Sequence, residues 1–132
     1  MMNPVIHFEM PAQNMKRAAD FYTKVFGWEN KMLDENMGNY VLAMTTASDK
    51  KGPLKPGAIN GGFFQKSDKT GGCPSVVISV EDIRAHMKKV EAAGGQVLGE
   101  PMDIPNVGSF VSFIDTEGNR LSILQPKMAE KK

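Results

Sequence analysis

An internal repeat restricts the folds that are open to this chain. The segment 36–41, Asn-Met-Gly-Asn-Tyr-Val, returns 70 positions later as 106–111, Asn-Val-Gly-Ser-Phe-Val. Upstream of each copy, an apolar strand pattern and an amphipathic helix pattern recur together, 68 positions apart. Two copies fit within 132 residues, so the repeat indicates duplication of one supersecondary unit and not a solenoid.

Each copy reads as a strand, a helix and three further strands. The helices are expected at 14–26 and 81–93, where apolar residues are spaced three and four positions apart. Glycine follows both segments, as is common at helix C termini. The strands are expected at 5–10, 28–33, 40–46 and 59–66 in the first copy, and at 75–80, 96–102, 109–115 and 120–125 in the second.

The length of the chain fits one small domain. A half of roughly 60 residues would bury too little surface for a comfortable core of its own. We therefore expect a single domain over 1–132, in which the two halves need each other to complete the fold. Module one is expected at about 4–66, the Gly-rich linker at 67–74 and module two at about 75–126.

Charge, cysteine content and hydropathy narrow the classes of function. The 16 basic and 15 acidic residues give a net charge of +1, which provides no electrostatic footprint for nucleic acid or an anionic membrane. The single Cys73 cannot form an intramolecular disulfide. No apolar run approaches the ~20 residues that span a bilayer, and no signal-peptide pattern is present. The sequence predicts a cytoplasmic protein with no nucleic-acid or membrane partner.

Alternation along the first strand separates two faces. Ile6, Phe8 and Met10 share an apolar face that should pack on the helix. His7 and Glu9 then lie on the opposite face, which becomes a concave cavity if the sheet curls. This face is the predicted ligand pocket.

Module two and the aromatic residues add candidates to the same face. The first and last strands of module two present serine and valine there, and Tyr40 and Phe110 occupy equivalent places of the repeat. The predicted lining of the pocket comprises His7, Glu9, Tyr40, Phe63, Ser75, Val77, Phe110 and Ser122.

This two-module pattern resembles the vicinal oxygen chelate superfamily, which includes lactoylglutathione lyase (glyoxalase I), bleomycin-resistance proteins and extradiol dioxygenases. The residues that carry the resemblance are His7, the helix segment 20–27, the Gly94-Gly95 pair, the turn 115–119 and the closing strand 120–125. The resemblance implies an α+β fold of two βαβββ modules that form a curved, partly closed mixed sheet with helices on the outer face. It also implies a homodimer and a small-molecule ligand.

Metal-dependent members of that superfamily hold an ion with one residue from the first and one from the last strand of each module, commonly His and Glu. The resemblance places these four positions at His7, Gly62, Ser75 and Ser122. Glycine supplies no donor, and serine hydroxyls are poor ligands for zinc or nickel. Glu9 could share an ion with His7, but two ligands fall short of a catalytic site. We therefore expect no metal site of the family type and no cofactor.

Two functions stay open, and with them the question of whether the protein is an enzyme. The first is a glyoxalase/bleomycin-resistance-like protein that binds a small organic ligand on the concave face of the sheet, with His7 and Glu9 as polar groups. The alternative is a metal-dependent lyase, isomerase or dioxygenase related to lactoylglutathione lyase. Glu9 would then be the catalytic base and His7 a metal ligand. The ligand count favours the binding protein.

Overall fold

The computed structural model describes residues 2–33, 40–68 and 72–127. The chain divides into two compact units: the first unit comprises Ile6–Ser75, and the second unit comprises Val76–Lys132 together with Met1–Val5. Residues 36–39 of the repeated segment 36–41 lie outside the described residues. No helix in the described ranges is both long and apolar enough to span a bilayer.

The first copy of the repeat contains the predicted strand, helix and three further strands, together with two additional short strands. Its helix and strands are β1 (Val5–Ala12), α1 (Met15–Phe26), β2 (Glu29–Met32), β3 (Val41–Met44), β4 (Ser48–Asp49), β5 (Gly52–Pro53) and β6 (Asn60–Gln65). The short strands β4 and β5 form a separate hairpin that the sequence did not predict. The four longer strands are ordered β2-β3-β6-β1, with β1 parallel to β6 and the other pairs antiparallel.

The second copy repeats this topology without the extra hairpin. Its elements are β7 (Ser75–Ser79), α2 (Ile83–Ala92), β8 (Gln96–Ile104), β9 (Gly108–Ile114) and β10 (Arg120–Pro126). The strands are ordered β7-β10-β9-β8, with β7 parallel to β10 and the other pairs antiparallel. The predicted α+β class with two βαβββ modules is therefore confirmed.

Local signals in the sequence set the limits of both helices. The side chain of Asn14 accepts a hydrogen bond from the backbone N–H of Arg17, and that of Asp82 accepts one from Ala85. These contacts satisfy N–H groups that a helix start leaves without partners. At the end of α1, Gly27 adopts a φ of 73°, which glycine takes without steric cost.

Each unit has its own apolar core beneath its helix. In the first unit, buried residues of α1, β1, β3 and β6 pack together: Ala12, Met15, Ala19, Val41, Ala43 and Phe63. In the second unit the corresponding cluster is Val80, Ile83, Val111, Phe113 and Ile123. These cores fix the helix-facing side of each set of strands, so the alternate residues point to the other face.

Candidate ligand-binding site

The candidate site of the first unit lies on the face of the strands opposite α1. Phe8 and Met10 pack against the core beneath α1, as the alternation in β1 predicts. His7 and Glu9 alternate with them on the same strand and so occupy the other face. Both side chains contact Tyr40, which immediately precedes β3.

The Tyr40 hydroxyl joins His7 and Glu9. It lies 3.1 Å from Nε2 of His7 and donates a hydrogen bond of 3.1 Å to Oε2 of Glu9. A phenol has one proton to donate, so the Nε2–H of His7 must donate to the Tyr40 oxygen. This assignment makes Nδ1 of His7 the acceptor nitrogen, and no other described residue hydrogen-bonds to it. The three side chains form a continuous hydrogen-bonded group, here named the His7–Tyr40–Glu9 trio.

Burial holds His7 and Tyr40 in their neutral forms. It lowers the pKa of His7 from 6.5 to about 4, because a partly buried imidazolium would lose hydration. Burial also raises the pKa of Tyr40, and the negative charge of Glu9 and its hydrogen bond raise it further. At neutral pH the trio therefore combines a neutral imidazole, a neutral phenol and the Glu9 carboxylate.

Two adjacent glycines in β6 make room for aromatic rings on its two faces. A Cβ atom at Gly61 would overlap the ring of Phe8 on the helix side. A Cβ atom at Gly62 would overlap the phenol of Tyr40 on the side of the trio. The Gly61-Gly62 pair is thus explained by the close approach of two side chains to one strand.

The strand registers confirm how the repeat aligns the two modules. Gly62 lies opposite Glu9 on β1 and Leu42 on β3. Ser122 lies opposite Val77 on β7 and Ser112 on β9. Gly62 and Ser122 therefore hold equivalent places.

The second copy of the repeat does not reproduce the polar trio. By the same register, serine, valine and phenylalanine occupy the positions equivalent to its three members: Ser75, Val77 and Phe110. Ser122 is 3% exposed, and its hydroxyl lies 2.9 Å from that of Ser112. Ser112 was not among the predicted site residues, although it lies 70 positions after Leu42 and the repeat therefore indicates its place beside the last strand.

Phe63 lies away from the trio. It is 1% exposed and belongs to the core beneath α1, with its ring centroid 5.4 Å from Tyr22 and 6.5 Å from Trp28. Gly62 faces the trio, so the next residue along the strand faces the helix. We therefore leave Phe63 out of the proposed pocket, whereas Tyr40 stands beside His7 and Glu9.

The donors present do not fit the family's metal ion. Of the four positions implied by the resemblance, only His7 carries a strong ligand, and its Nε2 is engaged with Tyr40. Gly62 has no donor, and the space above it holds the Tyr40 phenol. Within the described ranges, no group of three or more His, Cys, Asp or Glu side chains could hold a metal ion.

Two open clefts lie elsewhere. One of about 460 Å³ belongs to the first unit and is lined by Gln13, Lys66, Ser67, Asp68 and Gly72. Another of about 310 Å³ belongs to the second unit, around the ends of β8, β9 and β10. Neither contains a member of the trio.

Comparison with known families gives a match over almost the whole chain. The model described as the Glyoxalase/Bleomycin resistance protein/Dioxygenase superfamily matches residues 5–123. The anthracycline biosynthesis protein DnrV of Streptomyces peucetius is 28% identical over 132 residues, covering 93% of this chain and 47% of DnrV. A probable lactoylglutathione lyase of Vibrio cholerae is 27% identical over 130 residues, covering 95% and 92%. The chain thus spans about half the length of DnrV and nearly the full length of the Vibrio protein.

Solved structures share the fold. A methylmalonyl-CoA epimerase variant of Streptomyces coelicolor, in complex with 2-nitronate-propionyl-CoA, superposes with a TM-score of 0.68 at 16% identity, covering 100% of each chain. A hypothetical protein of Bacillus halodurans gives a TM-score of 0.70, also at 16% identity and with full coverage of both chains. At this level of identity the likeness concerns the fold and not the chemistry.

Proposed function

The chain belongs to the Glyoxalase/Bleomycin resistance protein/Dioxygenase superfamily, and from this premise we propose that it binds a small organic ligand at the His7–Tyr40–Glu9 trio, without the family's metal ion. The observation that carries the proposal is the Tyr40 hydroxyl, which bonds both His7 and Glu9. It converts the polar face of the first unit into an organised hydrogen-bonding surface.

The polarity of the trio favours a ligand that donates hydrogen bonds. Nδ1 of His7 is an acceptor, and Glu9 adds a negative charge in a partly buried setting. An ammonium or another cationic donor group gains from that charge, whereas a carboxylate is repelled by it. We propose a small organic cation, with an aromatic or apolar body beside the polar group, as the ligand class.

A small aromatic amine provides the direct test. Benzylamine is expected to bind more tightly than benzoate, and Glu9→Gln is expected to weaken benzylamine binding at least about tenfold. A charge-assisted hydrogen bond contributes on the order of 1.5–3 kcal/mol, which accounts for this loss. NMR titration of the His7 and Tyr40 resonances measures both affinities.

Glu29→Gln is the matched control, because Glu29 is an exposed carboxylate on β2 and lies outside the trio. Equal affinities for benzylamine and benzoate would contradict the ligand class. Turnover of methylglyoxal and glutathione with added zinc or nickel, lost in Glu9→Gln, would instead support the metal-dependent lyase. This reaction is chosen because the Vibrio relative is described as a probable lactoylglutathione lyase.

We also propose that the chain forms a homodimer in the cytoplasm. The support is the resemblance to two-module proteins that pair, together with a chain whose single cysteine suits a reducing compartment. Sedimentation at micromolar concentration is expected to give twice the chain mass of 14.5 kDa. A species of one chain mass would remove the dimer and leave the ligand site unaffected.

A further inference from the structure

Position 62, where the resemblance places a metal ligand, holds a glycine that lies directly beneath the phenol of Tyr40. Gly62 faces the trio, since a Cβ atom there would overlap the Oη, Cζ and Cε2 atoms of Tyr40. Any side chain at position 62 and the present placement of Tyr40 therefore exclude one another. The phenol occupies the space into which a ligand residue on β6 would extend.

Tyr40 also engages the other two groups on this face that could bind a cation. Its oxygen accepts a hydrogen bond from Nε2 of His7, and its hydroxyl donates one to Oε2 of Glu9. A divalent cation between His7 and Glu9 would have to displace the phenol and break both hydrogen bonds. The neutral phenol is a weak donor for such an ion.

From this geometry we propose that Tyr40 and Gly62 act as a coupled pair that excludes divalent cations from the first unit and leaves a metal-free hydrogen-bonding surface for the ligand. This inference deepens the proposed function and rests on it for the role of the trio. The Tyr40 phenol, positioned over Gly62, fills the place of a ligand residue on β6. Removing the phenol and introducing a carboxylate at position 62 would create a three-donor site with His7 and Glu9.

The test is a zinc titration of four proteins without any organic ligand: wild type, Tyr40→Ala, Gly62→Glu, and the double variant. The double variant is expected to bind Zn²⁺ on the order of 100-fold more tightly than wild type, because three donors match the protein ligand set of open zinc sites. Gly62→Glu alone is expected to gain less affinity than the double variant, since the new side chain must displace the Tyr40 phenol from the space over position 62. Calorimetry measures zinc binding, and absorbance of bound Co²⁺ reports the donor set.

Tyr40→Ala keeps the proposal testable even if the double variant does not fold. With Gly62 retained, it removes the phenol that bonds both His7 and Glu9 and is expected to raise zinc affinity roughly tenfold over wild type. Tyr40→Phe is the matched control, because the ring remains over Gly62 while the hydroxyl is lost, and no gain is expected. The proposal is overturned if wild type already binds zinc as tightly as the double variant, or if removing the ring gives no gain. A failure of benzylamine binding would overturn the proposed function and leave the zinc result standing.

Discussion

Truncation of Phe63 to alanine is expected to lower the free energy of unfolding by about 3–5 kcal/mol. Phe63 is 1% exposed and packs with Tyr22, Trp28 and the buried residues of α1. Removing its ring loses the transfer free energy of an aromatic side chain and leaves a cavity that the neighbouring strands cannot fill completely. Urea unfolding followed by the fluorescence of Trp28, the only tryptophan, measures the change.

Phe21→Ala supplies the matched control. It removes the same group from α1, where the side chain is 54% exposed, and is expected to cost less than about 1 kcal/mol. If Phe63→Ala cost no more than this control, the placement of Phe63 beneath the helix would be wrong. The folded fraction of Phe63→Ala should still bind benzylamine, because the residue lies away from the trio.

The repeat and the strand alternation were sufficient to predict the order of the elements in each copy and the two faces of β1. The 68-position shift between the two strand–helix units predicts that β7 repeats β1, and the registers agree: Glu9 faces Gly62 as Val77 faces Ser122. Alternation within β1 also assigned His7 and Glu9 to the face opposite the helix. These inferences succeeded because each depends on a period that is local in the sequence.

The contacts that make the site could not be predicted in the same way. Tyr40 is 31 residues from Glu9, and the two meet because β6 lies between their strands in one particular register. Neither fact can be read from spacing alone. In β6, two glycines and two phenylalanines follow one another, so polar and apolar residues do not alternate. The sequence therefore did not indicate which face Phe63 would take. The register of β6 in the sheet sets the face of Phe63: position 62 faces Tyr40, so position 63 faces the helix.

Acid is expected to reduce the stability of wild type more than that of His7→Gln, by about 3 kcal/mol between pH 7.5 and pH 4. Burial lowers the pKa of His7 from 6.5 to about 4 in the folded protein. Between pH 6.5 and pH 4, the unfolded chain therefore binds a proton at His7 that the folded chain does not bind. The contribution of neutral His7 is fully present above pH 6.5 and is lost as the pH falls towards 4. Each unit of pKa difference corresponds to about 1.4 kcal/mol.

The variants can be chosen so that only His7 differs. Gln keeps an N–H that can donate to Tyr40 but does not titrate, and His86→Gln removes the other histidine of the chain as a control. Asp115, whose pKa is lowered by hydrogen bonds from Asn119, loses its contribution at more acidic pH and is common to all three proteins. Urea unfolding at half-unit steps of pH should therefore give converging curves for wild type and His7→Gln on acidification, and parallel curves for wild type and His86→Gln. Parallel curves for His7→Gln would mean that His7 takes up its proton as readily in the folded protein as in the unfolded chain, and that burial does not hold the imidazole of the trio neutral.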